Sequence, residues 1–131
     1  MTTVKKVQSV LIIDDSESDV FLAKHHLNEC GHYETIYTEE DGSSALEALD
    51  GKVKPDIIFL DLNMPRVNGF EFLEEYKVRN NPPKSAIIIM AHSPDVLEEV
   101  REMIDFTFVR DVILKPLTKE IAIELAHRFG R

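Results

Sequence analysis

The amino-acid sequence predicts an α/β protein built on a doubly wound parallel sheet, and three observations carry that expectation. Short continuous apolar runs alternate with longer, helically spaced segments five times along 131 residues. The runs are rich in Val, Ile and Leu, the pattern of strands covered on both faces, as in a parallel sheet flanked by helices. The runs also end in charge. Val10-Leu11-Ile12-Ile13 leads into Asp14-Asp15, Ile57-Ile58-Phe59-Leu60 into Asp61, and Val112-Ile113-Leu114 into Lys115-Pro116. Parallel neighbours would deliver three carboxylates and one ammonium to one sheet edge, beyond the carboxyl ends where doubly wound sheets bind ligands.

The first strand is expected over 9–13. Ser16-Glu17-Ser18-Asp19 has capping-box spacing and opens a helix carrying Val20, Ala23 and Leu27, with Gly31 as its stop. The second run, 34–38, is weaker and more polar around Ile36 and Tyr37, which suggests an edge strand. Ser43 or Ser44 opens a helix with Ala45, Leu46 and Leu49. After the third strand, 56–60, Asn68-Gly69 precedes a helix with Phe70, Leu73 and Tyr76, and Asn81-Pro82-Pro83 reads as a rigid loop. The fourth strand is 86–90. Ser93 caps the next helix ahead of the first-turn residue Pro94, followed by Val96, Leu97, Val100, Met103 and Ile104. The fifth strand is 109–114. Thr118 caps a last helix bearing Ile121, Ala122, Leu125 and Phe129, closed by Gly130. Crossovers between parallel strands are expected to be right-handed.

Composition narrows the function classes. Hydrophobic residues at 44% and charged residues at 30% suit an ordinary globular protein, and the length suits one domain, 1–131, with a core over about 7–129. No apolar run approaches the roughly 20 residues that span a bilayer, and the N-terminus lacks a signal-peptide core. A cytoplasmic protein without membrane contact is expected. The single cysteine, Cys30, cannot form an internal disulfide, in keeping with a reducing compartment. A net charge of −9 argues against a nucleic-acid partner. The acidic runs Glu39-Glu40-Asp41, Glu74-Glu75 and Glu98-Glu99 read as solvated helix faces.

Three clustered carboxylates repel one another. At about 4 Å each pair costs roughly 4 kcal/mol with an effective dielectric near 20. A hard cation removes that cost, and an all-oxygen donor set favours Mg²⁺ or Mn²⁺. Lys115 precedes Pro116, and a cis bond there would turn the ammonium back over the sheet edge, toward Asp61 or an oxyanion attached to it.

Together, Asp14-Asp15 after an apolar strand, Asp61-Leu62-Asn63-Met64-Pro65 followed by Asn68-Gly69, and Lys115-Pro116 resemble the receiver domain of bacterial response regulators. The likeness runs from about Val7 to Phe129 with every motif in order. It implies a flavodoxin-like sheet in the order 2-1-3-4-5 with five helices. It also implies a phosphoacceptor, Asp61, with Mg²⁺ held by Asp15 and Asp61, by Asp14 directly or through water, and by the Asn63 backbone carbonyl. Lys115 would pair with the phosphoryl group. Phosphate would come from a histidine kinase or a histidine phosphotransfer protein. That donor would dock on the first helix and the loop after the fifth strand, around Val20, Phe21, Ala23, Lys24, Pro116 and Leu117. The only chemistry implied is self-phosphorylation and dephosphorylation. No output domain is expected after Arg131, so a downstream protein target would receive the signal by contact or by onward phosphotransfer.

The chain departs from the family pattern at two positions. Where a Ser or Thr hydroxyl is usual at the end of the fourth strand, Ala91 stands, or Met90 if the register slips by one. Three residues before the lysine, where an aromatic is usual, stands Val112; Phe108, four residues earlier, reads as core. The alternative reading is therefore a protein-binding module of this fold with weak or no phosphorylation switching. A metal-dependent phosphatase using Asp61 as nucleophile would need an acid two residues on, and Asn63 occupies that place.

Overall fold

The computed structural model describes residues 5–62, 68–80, 84–105 and 107–130. Strands β1 (Val7–Ile13), β2 (Tyr33–Glu39), β3 (Ile57–Asp61), β4 (Ala86–Ala91) and β5 (Val109–Leu114) alternate with helices α1 (Glu17–Cys30), α2 (Gly42–Asp50), α3 (Gly69–Arg79), α4 (Pro94–Met103) and α5 (Lys119–Phe129). The strands form one parallel sheet in the order β2-β1-β3-β4-β5, as expected. The polar second run is indeed an edge strand.

The sheet separates two apolar layers. Leu11, Ile13, Ile58, Leu60, Ile87, Ile89 and Val112 face α2, α3 and α4, where they meet Ala45, Phe72, Leu73, Tyr76 and Val100. Val10, Ile12, Ile57, Phe59, Ile88 and Met90 face α1 and α5, against Ala23, Leu27, Ala122, Leu125 and Ala126. Residues 10–13 and 57–60 are wholly buried, so alternate side chains of one strand serve both cores. Each such side chain contributes about 1.5–3 kcal/mol of transfer free energy. The edge strand is tied down by Tyr33, whose hydroxyl donates to the Ala122 carbonyl of α5 at 2.7 Å. Burial pushes that phenol above its ordinary pKa.

Local signals set most helix ends. Ser16, Asn68, Ser93 and Thr118 each cap the helix that follows, and Asn68 with Glu71 forms a full capping box. Gly31 ends α1 at φ 78°, the left-handed conformation that glycine adopts without penalty. One start differs from expectation. Helix α2 is capped by Asp41, whose Oδ1 accepts the Ser44 amide at 2.9 Å, and neither Ser43 nor Ser44 is the cap. Asp41 is buried, so it does not belong to a solvated acidic face. A carboxylate meets the positive end of the helix better than a hydroxyl two residues inside it. Strand ends also shift. β1 begins at Val7, whose amide donates to the His32 carbonyl, β4 runs on to Ala91, and β3 takes in Asp61 but leaves out Asp56, whose carboxylate accepts the Gln8 amide. The rigid loop expected at Asn81-Pro82-Pro83 lies outside the described residues.

Gly69 brings α3 hard against the end of β3. Its amide donates to the Leu62 carbonyl at 3.1 Å, and an added Cβ would lie 2.6 Å from Leu62 Cα and 2.9 Å from the Asp61 carbonyl oxygen. Both are backbone atoms that cannot turn aside. Gly69→Ala is expected to destabilise the fold by about 1–3 kcal/mol, read as a lower urea midpoint; an unchanged midpoint would contradict this close approach.

Candidate functional site

Strands β1 and β3 are neighbours at the centre of the sheet, and their register pairs Ile13 with Leu60. The next residues, Asp14 and Asp61, therefore emerge side by side at the carboxyl edge. The Asp14 side chain is fully buried and that of Asp61 is 7% exposed, while Asp15 is open to solvent. One carboxylate oxygen from each of Asp14, Asp15 and Asp61 lies within 4.8 Å of the others. The Ser16 amide donates to Asp14 Oδ1 at 2.9 Å, so the start of α1 helps to orient that acid.

Lys115 arrives from β5, on the far side of β4. Its amide donates to the Ala91 carbonyl at 2.7 Å, and its bond to Pro116 is cis. The ammonium lies 2.8 Å from Asp14 Oδ2, 2.9 Å from Asp19 Oδ2 and 3.8 Å from Asp61 Oδ1. Asp14, Asp15, Asp61 and Lys115, distant in the chain, thus converge at one rim. Asn63 lies outside the described residues.

Asp19 is the member that sequence reasoning missed. Its place in the Ser16-x-x-Asp19 spacing suggested a capping role, and its amide does donate to Ser16 Oγ at 3.3 Å. Its carboxylate, however, turns to Lys115. The available signal was an acid four residues past Asp15, one helical turn along α1 from the rim.

The charges act on one another. The hydrogen bond from Lys115 holds the Asp19 carboxyl below the ordinary range. Burial, the largest single influence on Lys115, pulls its amine down, yet the hydrogen bonds to Asp14 and Asp19 and the nearby charge of Asp61 outweigh it and leave the amine raised. A depressed acid contributes stability above its unfolded pKa, lost as pH falls through the folded value. A raised base contributes stability below its unfolded pKa, lost as pH rises through the folded value. The Asp19–Lys115 pair therefore stabilises the fold across the whole neutral range.

The donor set suits a hard divalent cation. Three carboxylates within 4.8 Å of one another carry about 3.5 kcal/mol of repulsion per pair at an effective dielectric near 20. An octahedral ion such as Mg²⁺ draws its oxygen ligands to 2.0–2.1 Å and so needs donors about 3–4 Å apart. Asp14, Asp15 and Asp61, with oxygens within 4.8 Å of one another, come close to that spacing and reach it by side-chain adjustment; all are oxygen donors, without the nitrogen or sulfur preferred by zinc.

The two atypical positions are apolar and packed. Met90 pairs with Asp61 across the sheet and Ala91 is the last residue of β4, 1% exposed. Val112 pairs with Ile89 and is 2% exposed in the core under α4. Phe108 is buried against Tyr76, as core. The expected docking residues divide. Phe21, Lys24 and Pro116 are exposed and Val20 is half-buried, but Ala23 and Leu117 are buried and present nothing to a partner. Ala23 sits one turn before Leu27 on the core side of α1, so Leu22, exposed beside Phe21, takes its place on the outer face.

The model of the response regulator receiver domain family matches residues 10–126. The chain belongs to that family. Among its relatives, the chemotaxis protein CheY1 of Helicobacter pylori strain J99 is 27% identical over 115 residues, 88% of this chain and 90% of that protein. CheY of Thermotoga maritima is 26% identical over 125 residues, 93% and 97% of the two. A two-component response regulator from Cytophaga hutchinsonii superposes with a TM-score of 0.82 over 95% of this receiver domain and 98% of its own chain, at 26% identity. Other curated relatives are longer, and the chain spans 28% to 37% of several of them. As a receiver domain the chain is a signalling module of two-component systems, and receiver domains bind Mg²⁺ at this acidic pocket. No described helix is long and apolar enough to cross a membrane.

The Lys115 ammonium neutralises charge that a divalent cation also neutralises. Lys115→Ala is expected to lower unfolding stability by about 1–3 kcal/mol in the absence of divalent ions, because it strips the buried Asp14 of a partner. Saturating Mg²⁺ should recover most of that loss in parallel urea titrations. An equal deficit with and without Mg²⁺ would show that the lysine and the metal do not serve the same charges.

Proposed function

We propose that this chain is a single receiver domain, 1–131, that accepts a phosphoryl group on Asp61 from a phosphohistidine donor. The observation that carries this reading is the position of Asp61 at the buried rim of β3, among Asp14, Asp15 and the Lys115 ammonium. An Asp61 carboxylate oxygen forms a bond to phosphorus as the bond from phosphorus to the donor nitrogen breaks, and the donor imidazole keeps the electron pair. A carboxylate attacks an anionic phosphoryl group poorly unless positive charge screens the approach and stabilises the equatorial oxygens. Lys115 supplies one such charge. Bound Mg²⁺, held by Asp15 and Asp61, by Asp14 directly or through water, and by the backbone carbonyl of Asn63, would supply the rest. The product is a mixed anhydride, which water hydrolyses to restore Asp61. The chain acts on itself and is not otherwise an enzyme.

The donor is a histidine kinase or a histidine phosphotransfer protein docking on the outer face of α1 and the start of the loop after β5. Phe21 at 71% exposure, Leu22, Lys24 and Pro116 offer the contact surface, consistent with a protein partner. The signal leaves through a downstream protein target in the cytoplasm. Neither nucleic acid nor membrane is a partner, in keeping with the net charge of −9.

A specific observation favours a second reading. Ala91 offers no hydroxyl to a phosphoryl oxygen and Val112 no ring to move with one, so phosphorylation would produce weak switching or none in a module that binds its partner regardless. Partner affinity with and without beryllofluoride separates the two readings: a switch changes affinity at least several-fold, a constitutive module leaves it constant.

Acetyl phosphate with Mg²⁺ is expected to add the mass of one phosphoryl group to the intact protein. Asp61→Asn or removal of the metal should abolish the adduct. A wild-type mass that never changes would refute phosphoacceptance.

A further inference from the structure

The Lys115 ammonium is already divided among carboxylates before any phosphoryl group stands on Asp61. It donates to Asp14 Oδ2 at 2.8 Å and to Asp19 Oδ2 at 2.9 Å, but stands 3.8 Å from Asp61 Oδ1. Asp14 belongs to the rim of acids whatever else happens. Asp19 does not: it stands on the first turn of α1, with its side chain 41% exposed, and it is absent from the cluster able to share a cation. Its carboxylate is ion-paired with Lys115, with a lesser hydrogen-bonding contribution from Ser16.

We propose that Asp19 is a positioning residue that holds Lys115 in the unphosphorylated protein and competes with the phosphoryl group for its ammonium. The proposal rests on the reading of Asp61 as phosphoacceptor. An ammonium is a compact charge on a flexible stem, so it can pass from one oxyanion to another without backbone movement. A phosphoryl oxygen that draws on the Lys115 ammonium weakens its bond to Asp19, and that cost lowers the affinity of the site for a phosphoryl group. The Asp19 carboxylate also adds one negative charge near the rim, which favours a divalent cation and disfavours a phosphoryl anion. Its removal therefore has opposite effects on the two ligands. A residue that merely supported α1, or one that ligated the metal, would on removal weaken both.

The experiment measures two affinities by calorimetry: Mg²⁺ alone, and beryllofluoride at saturating Mg²⁺. Asp19→Asn removes the charge and keeps the side chain's size and an acceptor oxygen. For a half-exposed ion pair, beryllofluoride binding is expected to tighten about two- to fivefold and Mg²⁺ binding to weaken about two- to fivefold. Asp19→Glu, which restores the charge, should lie close to wild type. Unchanged or weaker beryllofluoride binding in Asp19→Asn overturns the proposal. A wild-type protein that takes up no beryllofluoride overturns the phosphoacceptor reading and this proposal with it, an outcome distinct from the first. Should Asp19→Asn fail to fold, the carboxyl ¹³C resonance of Asp19 in the wild-type protein decides: it must shift when beryllofluoride binds, and an unmoved resonance overturns the proposal.

Discussion

Everything at the functional edge follows from a confined excess of negative charge. Two carboxylates, Asp14 and Asp61, are carried into near-complete burial because the strands that bear them are buried on both faces. Asp15 stands beside them in solvent. Left alone, such a group would protonate or spread apart. Here it is balanced by one ammonium brought from the other side of β4. Lys115 is the positive member that the described residues supply at that rim, and its hydrogen bonds to Asp14 and Asp19 with the nearby charge of Asp61 raise its amine despite burial.

The sheet order makes this balance feasible. With β1 and β3 adjacent and central, their last residues project together; with β5 two places from β3, a long side chain bridges the gap where a short one would not. The start of α1 then contributes twice. The Ser16 amide fixes one oxygen of Asp14, and Asp19, a turn along the helix, takes a share of Lys115. Site and helix are thus joined electrostatically. The apolar Ala91 and Val112 add no polar link toward α4.

The phosphoryl transfer proposed for this site needs few covalent parts, so most of its work would fall to arranged charge. That demand explains why the site tolerates crowding that would destabilise an ordinary surface. It also explains the close packing behind the site, where Gly69 allows α3 to press on Leu62 and the Asp61 carbonyl. The acids are held by backbone that has little room to relax.

The strands, their parallel arrangement and the charges at their ends were legible from the amino acids because apolar period and strand-end residues are local properties. The helix caps Ser16, Ser93 and Thr118 were equally legible, since a cap depends on residues three apart. The start of α2 was not: Asp41 looked like part of an acidic surface, and only its burial under the fold distinguishes a cap from a solvated run. The same holds for Ala23 and Leu117, placed on a docking face by sequence and turned into the core by the rotation of their segments. Asp19 is the clearest case. Its partner lies 96 residues away, and no spacing along the chain encodes which of four acids an ammonium will reach. That choice is made by the order of the strands and the angle at which α1 leaves the sheet, quantities that exist only once the chain is folded.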